Sequence, residues 1–182
     1  MHILNSKRGA IYVADTLINR HPNQDVLYDV ARLSEHTVKF FNQDPVIAMV
    51  SYSNFGTDEV GSPVAVHQAV EKLQHDFPDM VVDGEMQVNF ALNRELRDDK
   101  YPFTRLKGKD VNTIVFANMN AANSSYKLIQ ALDPDCEIVG PVQVGLNKPI
   151  HFTDFEASVS DVVNVTAVAV IDAYVDKVKN NK

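Results

Sequence analysis

Short apolar runs alternate along the chain with longer stretches in which apolar residues recur every three or four positions. The short runs are rich in β-branched and aromatic residues and predict buried strands, whereas the longer stretches predict amphipathic helices. The predicted strands cover residues 9–15, 45–52, 80–82, 111–117 and, interrupted by glycine and proline, 138–150. Because continuous apolar strands are typical of sheets covered by helices on both faces, the pattern predicts an α/β fold with a mostly parallel sheet.

The ends of the predicted helices carry capping signals. Asn23 is a candidate N-cap for a first helix that runs to about residue 42, and Ser62 is a candidate N-cap for a second helix that ends before Pro78. A third helix follows the asparagine-rich stretch 118–123, and Ser158 opens a last, long helix. Helix, apolar strand and polar loop thus recur in order along the chain.

The pattern weakens between residues 86 and 109. Residues 88–92 fit one short helix, and the charged stretch 94–105, with its internal proline, predicts broken helical turns on the surface. The βα alternation along the chain predicts a three-layer α/β/α sandwich with helices on both faces of the sheet. The crossovers between its parallel strands are expected to be right-handed.

The composition favours a compact domain and argues against several classes of function. The 182 residues are 45% hydrophobic, which is enough for a core, and the formal net charge of −7 comes without a basic tract that would bind nucleic acid. No apolar run approaches the roughly 20 residues of a membrane span, and residues 1–8 lack the apolar centre of a signal peptide. Cys136 is the single cysteine and is expected as a small buried hydrophobe, so we predict a soluble, cytoplasmic protein.

Two polar loops that follow predicted strands are candidates for a ligand site. Residues 51–57 offer hydroxyl groups, an amide and a glycine where a following helix could point its N–H groups at an anion; a hydrogen-bonded turn explains them equally well. Asp83 and Glu85 flank a glycine at a strand end, where two carboxylates could act as acid and base or hold a cation. A helix cap with a flexible turn is the favoured alternative for this pair.

The asparagine-rich stretch 118–123 is the strongest candidate. Ligands of open α/β sheets sit outside the carboxyl ends of the strands, so amide side chains at this place are expected in a binding crevice, with helix capping as the competing explanation. His67 and His75 could share a helix face, but two ligands without a third favour surface histidines over a metal site. The chain carries no dinucleotide-binding glycine fingerprint, phosphate loop or nucleophile elbow.

These loops lie within segments that resemble the phosphate acetyl/butyryltransferase family. The resemblance spans nearly the whole chain and is carried by residues 47–57, 82–87, 116–128 and 140–149. Three shorter segments are similar to the version of this domain fused at the carboxyl end of large bacterial NADP-dependent malic enzymes, namely residues 51–56, 89–97 and 101–103.

The resemblance implies an α/β/α sandwich of two subdomains, of the phosphotransacetylase type within the isocitrate/isopropylmalate dehydrogenase-like folds, with an acyl-CoA cleft. Residues 1–20 are then expected to be a remnant that leads in from a missing first subdomain, and residues 21–152 to form the second subdomain. Residues 153–182 would pack back toward the first subdomain as a helix. A homodimer through the second subdomain is implied as well.

One segment departs from the pattern of the active transferases. These carry a Ser-Arg-Gly run after Lys-Pro, in which the serine and arginine assist the attack of the CoA thiolate on acetyl phosphate, and then an aspartate on a helix. Counted from Lys148 without gaps, the serine position falls on Asp154, the arginine position on Phe155 and the glycine position on Glu156, while the aspartate matches Asp161. Loss of one such preorganised group typically costs about 10² to 10³ in rate, so we predict an inactive transfer site.

The favoured hypothesis is therefore an acyl-CoA-sensing regulatory domain of a malic enzyme. A fragment of an active acyltransferase is the alternative, and another α/β binding module or unrelated enzyme is the third. This chain is expected to bind no cofactor and no metal; acetyl-CoA is the expected effector, while NADP and a divalent metal belong to the absent amino-terminal malic enzyme domains, which are the expected partners. The residues expected in the acyl-CoA or phosphate cleft are Asn54, Gly56, Thr57, Asn118, Asn120, Asn123, Lys148 and Asp161.

Four of these residues have plainer competing explanations. Asn120 and Asn123 could merely cap the helix that follows, and Asp161 could merely complete a capping box with Ser158. Lys148 before its proline could be an ordinary solvated lysine.

Overall fold

The computed structural model describes residues 1–155 and 157–180, the last five of these for the backbone only. The strands are β1 (His2–Ser6), β2 (Gly9–Ala14), β3 (Ile47–Val50), β4 (Val82–Met86), β5 (Thr113–Phe116) and β6 (Glu137–Val139). The helices are α1 (Gln24–Phe40), α2 (Ser62–Asp76), α3 (Val88–Leu92), α4 (Arg94–Lys100), α5 (Met119–Leu132) and α6 (Val159–Asn180).

The strands described form one sheet in the order β4-β3-β5-β2-β1-β6. The pairs β3–β4, β3–β5 and β2–β5 are parallel, whereas β1 runs antiparallel to both of its neighbours. The predicted α/β fold with a mostly parallel sheet is therefore confirmed. Strand β1 was not predicted from the sequence.

Helices cover both faces of the sheet, as the predicted sandwich requires. Alternate residues of β3 point to opposite faces, because Ile47 and Met49 join one apolar cluster and Ala48 and Val50 join the other. The first cluster contains buried apolar residues of α1 and α2 with Val168 of α6, and the second contains buried residues of α3 and α5. The apolar content thus fills two core layers.

Several predicted helix ends are confirmed by the structure. The side chain of Asn23 caps α1 by accepting a hydrogen bond from the backbone N–H of Val26 at 3.0 Å. The hydroxyl of Ser158 and the carboxylate of Asp161 form the predicted capping box, with Ser158 N and Asp161 Oδ2 2.8 Å apart. Cys136 is buried just before β6, as expected.

Other boundaries differ from the prediction. Ser62 is the first residue of α2 rather than its cap; Gly61 takes the cap position with φ of 77°, a conformation that favours glycine. The asparagine-rich stretch is not a loop, since Asn118 caps α5 and the helix begins at Met119. Of the strand predicted at 138–150, only residues 138 and 139 are regular, as the end of β6 (Glu137–Val139).

Asp83 and Glu85 lie inside strand β4 and not in a loop after it. Both are buried, and each is stabilised by partners distant in sequence. Asp83 Oδ2 accepts hydrogen bonds from Thr104 Oγ1 at 2.6 Å and from the backbone N–H of Arg105 at 2.8 Å. Strand β4 can therefore carry two carboxylates because neighbouring segments supply donors for them.

The segment between β4 and β5 is held together by a buried arginine. Arg97 is fully buried and donates hydrogen bonds to the carbonyl oxygens of Ala91, Leu106 and Lys109 at 3.1, 2.8 and 2.6 Å. These bonds tie α3, α4 and the following turns into one unit.

In the part of the chain that the structure describes, no helix combines the length and the apolar character that crossing a bilayer requires.

Candidate functional site

The carboxyl ends of β3 and β5 form a crevice at the point where the chain changes direction across the sheet. From β3 the chain continues through α2 to β4 at one edge, and from β5 it continues through α5 toward β6 at the other. Helices α2 and α5 lie on opposite faces, so the two connections diverge. Ligands of open α/β sheets bind at such a switch point. A cavity of about 250 Å³ lies there, lined by Val50, Ser51, Tyr52, Ser62, Val88, Phe116, Ala117, Asn118 and Ala121.

The crevice has apolar walls and a few polar groups. Ser51 Oγ is buried and has no hydrogen-bond partner among the residues that the structure describes. Asn118 Oδ1 accepts from the backbone N–H of Ala121 at 3.0 Å, which places the amino end of α5 at the crevice, and Ser62 brings the amino end of α2. Helix amino ends favour negative charge, so the crevice suits a ligand with an anionic or strongly polar group.

The loop that follows β3 closes around a carboxylate of its own protein. Glu85 is fully buried, and its Oε1 accepts the backbone N–H of Gly56 at 2.6 Å and the Ser53 hydroxyl at 3.4 Å. The backbone N–H of Phe55 donates to the Glu85 carbonyl at 2.8 Å. The anion that this loop holds in the structure is therefore Glu85.

The three predicted cleft residues of this loop take part in building it. Asn54 is buried and its Oδ1 accepts the backbone N–H of Gln87 at 2.8 Å. Thr57 Oγ1 is 2.9 Å from Ser53 Oγ and accepts the backbone N–H of Asn54 at 3.1 Å. These groups of Asn54, Gly56 and Thr57 were expected to face a ligand and are instead hydrogen-bonded within the protein. Contact between the three residues and a ligand stays a prediction.

The second oxygen of Glu85 faces a histidine. Glu85 Oε2 makes no hydrogen bond within the described residues but lies 3.3 Å from Nδ1 of His67, which is about half exposed and also 3.6 Å from Glu71. His67 therefore covers a buried carboxylate at the edge of α2. Among the described residues no group of three or more histidine, cysteine, aspartate or glutamate side chains could hold a metal ion.

Asp154 and Asp161 line a second, more polar cavity of about 310 Å³ on the far side of α5. Lys127 is a cationic residue in its lining, and His2 and Tyr126 form an adjacent wall. Asp161 Oδ2 is engaged by both the backbone N–H and the hydroxyl of Ser158, so it acts here as a helix cap. Two carboxylates and one ammonium leave this cavity without the excess of positive charge that an anionic phosphoryl group requires.

His2 is a residue of this cavity that sequence reasoning missed. Its ring stacks on Tyr126 with centroids 4.1 Å apart, and its Nδ1 lies 2.9 Å from Thr16 Oγ1. Burial, together with the positive charges of the N-terminal amine and Lys127 and against the opposing effect of Asp154, lowers the pKa of His2 to about 3. His2 is therefore neutral above about pH 3, and no sequence motif marks it.

The remaining predicted residues lie in different places. Asn123 donates from Nδ2 to the Thr16 carbonyl at 3.3 Å, and Thr16 in turn contacts His2. Asn120 is exposed on the first turn of α5. Lys148 lines a third cavity, of about 290 Å³, between α1, the turn at 142–146 and α6. The structure thus gathers Asp154 and Asp161 in one cavity, whereas Asn118 and Lys148 line two other cavities. Phe155 is fully exposed, and Glu156 lies outside the described residues.

The chain is similar to two groups of characterised proteins. It is 36% identical to the NADP-dependent malic enzyme of Salmonella typhimurium over 95% of this chain, yet it spans only 23% of that enzyme. It is 33% identical to the phosphate acetyltransferase of Clostridium acetobutylicum over 92% of this chain and 50% of that protein. The chain therefore spans about a quarter to a half of the length of these relatives.

Solved structures agree with the sequence comparison. A phosphotransacetylase from Streptococcus pyogenes superposes with a TM-score of 0.85 at 30% identity, covering 96% of this chain and 52% of that one. The EutD phosphotransacetylase from Staphylococcus aureus gives a TM-score of 0.83 at 28% identity, over 96% and 53% of the two chains. The family model described as phosphate acetyl/butaryl transferase matches residues 1–170. This chain is therefore a member of the phosphate acetyl/butaryl transferase family.

Proposed function

We propose that this chain is a regulatory domain that senses acyl-CoA within a malic-enzyme-like parent protein and no longer transfers acyl groups itself. The proposal is supported by the match to malic enzymes over nearly the whole chain but less than a quarter of their length. In this proposal the parent protein contributes the domains that oxidise and decarboxylate malate with NADP and a divalent metal. We expect it to reside in the cytoplasm.

The observation that carries the proposal is the chemistry at Asp154 and Phe155. Active relatives are expected to place a serine and an arginine there to stabilise the charge that develops on the transferring phosphate. Here Asp154 lines a cavity together with Asp161, and the exposed Phe155 carries no charge. The carboxylate of Asp154 at the serine position repels an anionic acyl phosphate, and Phe155 supplies no cation at the arginine position, so ground-state binding and transition-state stabilisation both weaken.

Binding does not require Asp154 or Phe155, because other residues line the crevice between β3 and β5. Its apolar walls, the Ser51 hydroxyl and the amino ends of α2 and α5 suit a thioester with a polar head. Regulation then requires that acetyl-CoA favours one state of the parent assembly, commonly by about 1 to 3 kcal/mol. We expect a homodimer through this domain to be the unit that changes state.

The test is an acyltransfer assay with acetyl phosphate and CoA on the intact parent protein. We expect no acetyl-CoA formation above the blank, with the phosphate acetyltransferase of Clostridium acetobutylicum as the positive control under the same conditions. Turnover within tenfold of that control would refute the loss of transfer chemistry.

A fragment of an active acyltransferase is the second candidate. It is favoured by the 33% identity to a phosphate acetyltransferase and by Asp161, which stands where the family has its helix-borne aspartate. In the structure Asp161 is hydrogen-bonded to Ser158 as a cap, which explains its presence without catalysis. The same assay separates the two candidates.

A further inference from the structure

Four aromatic rings form a cluster beside the crevice, which we call the aromatic platform: Phe55, Phe90, Tyr101 and Phe103. Phe55 lies at the centre, with ring centroids 4.8 Å from Tyr101 and 5.0 Å from Phe103, and Phe90 packs edge-on to Tyr101 at 5.1 Å. Phe103 is 68% exposed. Contiguous exposed apolar groups mark interaction sites, whereas single exposed residues do not, so the aromatic platform is a candidate contact surface because Phe103 belongs to a cluster.

The exposed ring stands on a rigid base. The residue after Phe103 is Thr104, which is buried and donates from Oγ1 to Asp83 Oδ2 at 2.6 Å, and the next backbone N–H donates to the same oxygen at 2.8 Å. Asp83 belongs to β4 in the sheet, and Arg97 holds the turns on either side of the platform. A ring fixed in this way loses little conformational freedom when a planar group stacks on it.

The aromatic platform adjoins the crevice through Gln87. Gln87 Nε2 donates to the carbonyl of Tyr52, which lines the crevice, and its backbone N–H donates to Asn54, the residue before Phe55; both distances are 2.8 Å. Val88 lines the crevice at the start of α3, and Phe90 of the platform lies on the same helix. A ligand that fills the crevice can therefore extend onto the platform.

The charge around the platform is opposite to that of the chain as a whole. Residues 94–110 contain six cationic and four acidic side chains, in a chain with net charge −7. Three of the four acids are engaged locally: Asp98 accepts the Gly108 N–H at 2.7 Å, and Asp99 and Asp110 pair with Lys100 and Arg94. The cations that form no ion pair with any described residue are Arg105, Lys107 and Lys109, all exposed. The local surface therefore favours a ligand that carries phosphate groups.

We propose that the aromatic platform stacks the purine ring of a nucleotide and that Arg105 and its neighbouring lysines bind the phosphates. This inference rests on the proposed function, because it assigns to the platform the adenosine-phosphate end of acyl-CoA while the thioester end occupies the crevice. Stacking of a base on an aromatic side chain is worth about 1–3 kcal/mol, which makes Phe103 a determinant of CoA recognition.

The experiment is isothermal titration calorimetry on the intact parent protein and two variants, Phe103→Ala and Phe152→Ala. Phe152 is a matched control, since it is 55% exposed and does not belong to the platform. The probes are acetyl-CoA, acetyl-pantetheine, which lacks the nucleotide, and adenosine 3′,5′-bisphosphate, which is the nucleotide alone. We expect Phe103→Ala to weaken acetyl-CoA about tenfold. Binding of acetyl-pantetheine to Phe103→Ala, and of acetyl-CoA to Phe152→Ala, is expected to match wild type.

The outcomes separate the platform from the proposed function. Equal acetyl-CoA affinity in Phe103→Ala and wild type overturns the platform and leaves acyl-CoA sensing intact. In another outcome the bisphosphate binds the wild-type protein and binds Phe103→Ala more weakly, while neither acetyl-CoA nor acetyl-pantetheine binds. This result supports the nucleotide platform and overturns acyl-CoA sensing. If none of the three probes binds the wild-type protein, both proposals fail. Equal melting temperatures of the variants confirm that differences in affinity do not reflect unfolding.

Discussion

Replacing Arg97 by methionine should destabilise the protein more than the loss of any exposed charge. Arg97 is fully buried, and three of its N–H groups satisfy the carbonyl oxygens of Ala91, Leu106 and Lys109. Methionine fills much of the same volume but donates no hydrogen bond, so the change isolates the polar contribution. The carbonyl groups of Ala91 and Leu106 would be left buried without their partner.

The magnitude follows from these bonds. A hydrogen bond from a charged donor contributes about 1.5–3 kcal/mol, but the three are not additive, because the segment can relax and water can reach Lys109 near the surface. Removing one partner from a buried charged network typically costs about 3–5 kcal/mol, and we expect Arg97→Met to fall in this range. This is a large part of the roughly 5–15 kcal/mol that stabilises a typical domain.

Urea denaturation followed by circular dichroism measures the change, and hydrogen exchange locates it. Amides of residues 88–109 should lose protection first, since Arg97 ties these turns together. Arg94→Met is the control: Arg94 is about half exposed and pairs with the exposed Asp110, so its loss should cost less than about 1 kcal/mol. Equal free energies of unfolding for the two variants would refute the role given to Arg97.

Two further predictions concern stability. Because burial lowers the pKa of His2 to about 3, the unfolded chain binds a proton at this residue below about pH 6.5 that the folded chain does not, so the folded state loses stability as pH falls from 6.5 toward 3. His2→Gln should reduce the slope of the unfolding free energy in this window by up to about 1.4 kcal/mol per pH unit, and an unchanged slope in urea titrations would contradict the assignment. A Cβ at Gly84 would overlap the carbonyl oxygen of Met49, so Gly84→Ala should cost more than about 3 kcal/mol or prevent folding. Gly108, with a positive φ but open space, should tolerate alanine at about 1 kcal/mol, and similar losses at both positions would argue against the close contact.

Local patterns were sufficient to predict most of the regular elements. Helix α1 combines an asparagine cap with apolar residues at helical spacing, and β3 and β5 are continuous apolar runs, so each carries its signal in its own residues. Strand β1 was missed because its five residues are only partly apolar and owe their conformation to pairing with β2 and β6. The carboxylates of β4 suggested a loop, because their donors come from segments that lie 21 to 32 residues away in the chain.

Less of the candidate site than of the fold could be predicted from local patterns, because its residues meet only in the tertiary structure. The position of the crevice was predicted from the apolar run of β5 and the asparagine-rich helix start that follows it, both of which leave local traces. The cavity around Asp154 joins residues from opposite ends of the chain, and His2 carried no signal of its own. The tertiary role of Glu85 was also hidden, since the sequence shows a carboxylate beside a glycine but not the loop that closes around it. The aromatic platform depends on loops whose approach only the fold determines.

The most direct test of the account is a calorimetric titration of acetyl-CoA into the intact parent protein. We predict saturable binding with one site per chain, by a protein that forms no acetyl-CoA when given acetyl phosphate and CoA. Absence of any binding heat across a range of temperatures, with folded protein confirmed in the cell, would contradict the claim that this domain has kept an acyl-CoA site after losing its transfer chemistry.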